Sequence, residues 1–172
     1  MVSVCVPIIV VACLLYSTSI ICIHICCDEK RGWQFCVVRF RMTYPSSSIP
    51  ETGLTTKHYT QMVDLYAKFR DGGLEILAFP CNQFDNQEPY SDSDIHAFAK
   101  RFGVEFRMMS KIDVNGPGQH EVYRFLKEKM GQEEIEWNFA SYFVVNRKGR
   151  IKSYNGGSPK FLETYIEAAI NG

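Results

Sequence analysis

The stretch Lys57-His58-Tyr59-Thr60-Gln61-Met62-Val63-Asp64-Leu65-Tyr66-Ala67-Lys68-Phe69, followed by Asp71-Gly72-Gly73 and Leu74-Glu75-Ile76-Leu77-Ala78-Phe79-Pro80, sets the fold class. Tyr59, Met62, Val63, Tyr66 and Phe69 recur at helical spacing on one face, with Thr55 or Thr56 available as N-cap. The Asp-Gly-Gly turn ends that helix, and the apolar run to Phe79 has the length of a buried strand closed by Pro80. Helix, turn and fully apolar strand in succession predict a parallel α/β unit.

Further along the chain, Ser91-Asp92-Ser93-Asp94 opens a second helix as an acidic variant of the capping box. Ile95, Phe98, Ala99 and Phe102 form its inner face and Gly103 its stop. Phe106 to Asp113 reads as the next strand. After the turn Asn115-Gly116-Pro117-Gly118 a third helix carries Val122, Phe125, Leu126 and Met130 and stops at Gly131. Tyr142–Val145 and Arg150–Tyr154, joined by the turn residues Asn146 to Gly149, predict a β-hairpin. A last helix begins at Ser158-Pro159 and buries Phe161, Leu162, Tyr165, Ile166 and Ala169. This order is that of a thioredoxin-like α/β fold, a central mixed sheet flanked by helices, with its N-terminal strands atypical or missing. Trp33 to Phe40, rich in β-branched and aromatic residues, is the stretch available to supply the missing central strand.

The chain divides into an apolar leader at 1–27, an atypical connecting segment at 28–52 and the domain at 53–172. From Val2 to Cys27 no side chain is charged, and Lys30, Arg31, Arg39 and Arg41 follow. The leader therefore reads as a signal or as an anchor leaving the domain in the cytosol, with membrane association through residues 2–27, or else as an incorrect start of the coding sequence. Localisation follows that choice: membrane-anchored or secreted if the leader is genuine, cytoplasmic if it is not.

The 172 residues carry 19 basic and 19 acidic side chains, so no net charge draws the chain to nucleic acid. Of seven cysteines only Cys81 lies in the domain. There is no CxxC pair for a dithiol carrier and no Cys/His set with metal-ligand spacing. At the end of a strand, Cys81 is expected to be a buried, inert thiol. His58, His96 and His120, and the cluster Lys127-Glu128-Lys129, read as solvated helix positions.

The run Ala78-Phe79-Pro80-Cys81-Asn82-Gln83-Phe84 with Gln87-Glu88-Pro89 closely resembles the signature of glutathione peroxidases. So do Gly53-Leu54-Thr55 with Tyr59-Thr60-Gln61, Ser110-Lys111-Ile112-Asp113-Val114-Asn115-Gly116, and Trp137-Asn138-Phe139, all in the family's order. In that family the reactive Cys or selenocysteine directly precedes the glycine that here is Gly53, so the resemblance puts Thr52 at the nucleophile's position. It implies that Gln87, Trp137 and Asn138 are the remaining members of the catalytic tetrad. An indole N–H and side-chain amides donate hydrogen bonds to a thiolate or selenolate and favour the charged form. No bound cofactor is implied; glutathione is the reducing co-substrate, and hydrogen peroxide and organic or lipid hydroperoxides are the substrates.

Thr52 cannot do the nucleophile's work, since its hydroxyl stays protonated near neutral pH whereas a thiol's free pKa of about 8.5 is readily lowered. The agreement starts abruptly at Gly53, just after the position that selenoproteins encode with a stop-type codon. The expectation is a skipped codon joined to an unrelated upstream exon, and an in-frame UGA ahead of the Gly53 codon in the native transcript would show it. Ala99 stands where thioredoxin-dependent relatives often carry a resolving Cys, which favours glutathione as reductant. The connection from Gly116 to Trp137 lacks the longer insertion with which tetrameric relatives build subunit contacts, so by resemblance the chain is of the monomeric, phospholipid-hydroperoxide type. The competing expectation is a catalytically inactive, membrane-anchored peroxidase-like binding protein.

Overall fold

The computed structural model describes residues 35–40, 53–139 and 141–172, with backbone alone for 35–40, 53 and 54. Thr52 and the leader at 1–27 lie outside the described residues. Strand β1 (Phe35–Phe40) is followed by helix α1 (Gly53–Phe69), strand β2 (Glu75–Pro80), helix α2 (Asp92–Arg101) and the two-residue strand β3 (Arg107–Met108). Helix α3 (Glu121–Met130), strands β4 (Ser141–Val145) and β5 (Ile151–Asn155), and helix α4 (Glu163–Asn171) complete the order.

The five strands form one mixed sheet in the order β3-β2-β1-β4-β5. β1 runs parallel to β2, with Val37 opposite Leu77, and antiparallel to β4, with Cys36 opposite Val144. The central strand expected from Trp33 to Phe40 is thus found at Phe35–Phe40, and both of its backbone edges are paired. A central strand needs this, because an unpaired amide in the core costs as much as a lost hydrogen bond.

Side chains alternate across a strand, and the alternation splits the core into two layers. Ile76, Ala78, Tyr142 and Val144 face one side, where Tyr59, Met62 and Leu65 of α1, Ile95, Phe98 and Ala99 of α2, and Leu162 and Ile166 cover them. Phe79 and Phe143 face the other side, against Tyr123 and Leu126 of α3. Helices on both faces explain why β2 and β4 read as continuous apolar runs.

Several local expectations hold. Ser91 caps α2 by accepting from the Asp94 amide at 3.3 Å, and Gly131 closes α3 in the left-handed region at φ +63°. Three others are corrected. Thr55 and Thr56 do not cap α1, because they lie within a helix that already includes Gly53, and Thr55 is buried. The strand expected over Phe106–Asp113 is only Arg107–Met108. Beyond it Met109 N donates to Ala78 O at 2.8 Å and Ile112 N to Pro80 O at 3.0 Å. Three residues on this side therefore span two on β2, and the extra residue ends the regular ladder. Phe161 and Tyr165 are not buried but 37% and 41% exposed; they pack around Tyr154, with ring centroids 5.9 and 4.3 Å away. The last element opens as a 3-10 turn at Pro159–Leu162, whose three-residue period rotates those two aromatics outward while Leu162 and Ile166 stay inside.

Candidate active site

At the C-terminal end of β2 the chain leaves the sheet at Cys81, and a network of side-chain amides shapes the adjoining loop. Asn82 Oδ1 accepts from the Glu88 amide at 2.8 Å, drawing residues 82–88 into a tight turn. Within it Asp85 and Asn86 both sit in the left-handed region, at φ +51° and +49°, immediately before Gln87. Asx residues tolerate that conformation better than other side chains do, which accounts for their use here.

Gln83 links this loop to the next. Its Oε1 accepts from the amides of Val114 and Asn115 at 2.8 and 2.9 Å, and its Nε2 donates to Asn115 O at 2.9 Å. Asn115 in turn holds the segment leading to Trp137: its Nδ2 donates to Ile135 O at 2.8 Å and its Oδ1 accepts from the Ile135 amide at 2.9 Å. Lys127 is buried and donates to the same Oδ1 at 3.3 Å, with its pKa lowered by desolvation. It is not the solvated helix end that its charged neighbours suggested. Lys111 closes the other flank, its ammonium donating to the carbonyls of Glu88 at 3.0 Å and Tyr90 at 2.7 Å.

These loops bring two of the expected residues into contact. Asn138 Nδ2 donates to Gln87 Oε1 at 3.3 Å, across 51 positions of sequence. Trp137 is 40% exposed and packs edge-to-face on Phe84, centroid to centroid 5.8 Å. Asn138 itself is buried, and the residue after it, Phe139, takes φ +55°, a left-handed conformation that costs a non-Asx side chain on the order of 1–3 kcal/mol. The fourth expected position, Thr52, lies outside the described residues. It directly precedes Gly53, the first described residue of α1.

Sequence reading missed His58. On α1, it is buried rather than solvated; its Nδ1 shares a hydrogen bond of 2.6 Å with the Tyr142 hydroxyl, and its ring lies 4.2 Å from that of Phe139. Desolvation, then the charge of Lys57, lowers its pKa to about 4, so the ring is neutral at physiological pH. Its spacing of four from Met62 and seven from Leu65, both buried, was the available signal. His120 caps α3 by accepting from the Val122 amide at 3.3 Å. Cys81 is buried, as expected of an inert thiol, and receives the Gln83 amide at 3.4 Å.

Comparison with known proteins gives the family. Residues 47–127 match the family model described as glutathione peroxidase. The glutathione peroxidase-like peroxiredoxin of Schizosaccharomyces pombe is 46% identical over 121 residues, which are 67% of this chain and 76% of that protein. The probable phospholipid hydroperoxide glutathione peroxidase of Solanum lycopersicum is 46% identical over 105 residues, 59% of this chain and 62% of that protein. Among solved structures, the crystal structure of Trgpx in apo form superposes with a TM-score of 0.60 at 24% identity, covering 83% of each chain, and supports the thioredoxin-like fold. With the ordered motifs, the paired amides of Gln87 and Asn138 and this level of identity in hand, the chain belongs to the glutathione peroxidase family.

Proposed function

We propose that the domain is built for thiol-dependent reduction of hydrogen peroxide and of organic and lipid hydroperoxides, with Gln87, Trp137 and Asn138 serving a nucleophile at position 52. The observation that carries the reading is the 3.3 Å contact between Asn138 and Gln87, which gathers two amides beside an exposed indole at the end of β2. Asn138 Nδ2 spends one of its two protons on Gln87 Oε1, and the Gln87 Nε2 protons and the Trp137 Nε1 proton are of the kind a chalcogen anion accepts.

With Cys or selenocysteine at position 52, the anion attacks one peroxide oxygen, the O–O bond breaks, and the departing alkoxide takes a proton to leave as alcohol or water. The nucleophile becomes a sulfenic or selenenic acid. One glutathione thiolate, with a proton from solvent, displaces its hydroxyl as water to give a mixed disulfide or selenenyl sulfide, and a second releases the enzyme thiolate or selenolate and forms glutathione disulfide. Glutathione is the proposed reductant because Ala99, in the core on α2, offers no resolving thiol. A monomer with an open site suits bulky lipid peroxides, and the relative from Solanum lycopersicum carries phospholipid hydroperoxide in its name. No described helix is long and apolar enough to cross a membrane.

The test is direct. With Thr52 the chain should show almost no peroxidase turnover, because a threonine hydroxyl supplies no thiolate at pH 7. Thr52→Cys should restore reduction of hydrogen peroxide and of a phospholipid hydroperoxide in a glutathione-coupled assay. A folded Thr52→Cys protein that consumes neither peroxide would refute the reading.

A further inference from the structure

We propose that His58 is a positioning residue: its hydrogen bond to Tyr142 and its tilted ring contact with Phe139 clamp the Trp137-Asn138-Phe139 turn onto α1, and so fix the backbone that carries the donors Trp137 and Asn138. The inference rests on the peroxidase reading for its consequence, but on geometry for its existence.

Three elements meet at His58. The residue itself belongs to α1, the helix that begins next to position 52 in sequence. Tyr142 belongs to β4, beside the central strand of the sheet, and is fully buried. Phe139 belongs to the turn that leads into β4, its ring 4.2 Å from the imidazole and tilted 31° to it, directly after Asn138 in sequence. The Nδ1 to Oη distance of 2.6 Å is short, and both partners are buried, so the bond is made away from solvent, where losing it is costly. A neutral ring suits the arrangement, since one imidazole nitrogen then carries no proton and can accept from the phenol. Phe139 cannot hold its left-handed backbone on intrinsic preference, because φ +55° is unfavourable for a phenylalanine, so its surroundings must enforce it. The imidazole lies against its ring at 4.2 Å and is one of the surfaces available to do so. If the clamp loosens, Phe139 relaxes toward ordinary φ, and Asn138 and Trp137, one and two residues away, swing with it.

The experiment uses Thr52→Cys as parent and adds Tyr142→Phe, which deletes one oxygen, His58→Leu, which deletes both contacts, and His58→Asn, which keeps a polar atom near the place of Nδ1. The ionisation of the introduced thiol is followed by thiolate absorbance against pH, and its reaction with hydrogen peroxide by stopped flow. Tyr142→Phe and His58→Leu should each slow the second-order reaction about tenfold or more and raise the thiol pKa, while His58→Asn should stay within about threefold of the parent. A purely structural pair would lower thermal stability and leave both the thiol titration and the rate per folded molecule unchanged, which would overturn the proposal. Tyr142→Phe keeps the test decisive even if His58→Leu does not fold.

Failure of the peroxidase reading is separable from failure of the clamp. Trp33→Phe leaves Trp137 as the single tryptophan of the chain. Its fluorescence should become more accessible to iodide and less anisotropic in Tyr142→Phe and His58→Leu, whether or not the parent reduces peroxide. Unchanged quenching and anisotropy would refute the clamp even with an active parent.

Discussion

Asn115 shows how much a single side chain can carry here. It donates to Ile135 O, accepts from Ile135 N and from Lys127 Nζ, and its own amide and carbonyl bind Gln83. Asn115→Ala strips buried partners from a backbone amide, a carbonyl and an ammonium, and each orphaned group costs roughly 1–3 kcal/mol. We expect a loss of about 2–4 kcal/mol in urea unfolding, with the peroxide reaction of Thr52→Cys slowed as well, because the segment that Asn115 holds leads into Trp137. Gln87 and Asn138 invite a different test. In the Thr52→Cys background, Gln87→Ala and Asn138→Ala should each raise the thiol pKa and reduce kcat/KM for hydrogen peroxide roughly 10- to 100-fold, the range expected when a hydrogen bond of about 1.5–3 kcal/mol to a charged group is lost. Their effects should not add, since the two amides contact each other at 3.3 Å. A double variant as slow as the sum of the two would mean that they act independently.

Among the elements, α2 has the clearest local grammar. Ser91 accepts from the Asp94 amide, Asp92 and Asp94 occupy the positive end of the helix dipole, and Lys100 and Arg101 the negative end. Asp92 also accepts from the Lys111 amide at 2.9 Å, so the start of α2 fixes the stretch that succeeds β3. Ser91→Ala should cost about 1 kcal/mol, measured by chemical denaturation; a neutral result would show that the acidic residues alone hold the helix start. The strand at Arg107–Met108 is harder to read than α2. Apolar residues continue past it, yet hydrogen bonding from Met109 and Ile112 to β2 skips a residue, and a spacing of that kind leaves no mark in a periodic pattern. Likewise the 3-10 start of the last helix turns Phe161 and Tyr165 to the surface, although the stripe taken at 3.6 residues per turn places them inside.

For the molecule as a whole, β1 is the strand on which cooperativity turns. It is paired on both sides, to β2 and β4, and its removal splits the five-stranded sheet into two pieces with newly exposed edges. A chain beginning at Gly53 should therefore melt broadly or be unfolded, whereas one beginning ahead of Phe35 should show a sharp thermal transition; a sharp transition from the shorter chain would contradict this. Stability should also depend on pH through His58. Its pKa is about 4 in the folded protein against 6.5 when free. The unfolded chain therefore takes up the proton first as pH falls. The contribution is complete above about pH 6.5, is lost progressively between about 6.5 and 4, and declines no further below that. His58→Asn should flatten this part of the profile relative to the parent when thermal midpoints are compared at about pH 7, 5.5 and 4.

Local patterns were enough for the α/β class, for three of the four described helices to within a turn and for the hairpin, and ordered motifs for the family, whose resemblance in turn implied Gln87, Trp137 and Asn138 as the candidate donors. Periodicity, caps and ordered motifs write each of these into a short stretch of chain. The composition of Trp33 to Phe40 offered a central strand, but packing in three dimensions was needed to pair it with β2 and β4, to bury His58 and Lys127, and to bring Asn138 to Gln87. A strand's neighbours, the burial of one polar side chain and a contact spanning 51 residues are set by which segments meet, and long-range geometry of that kind leaves no trace in the spacing of nearby residues.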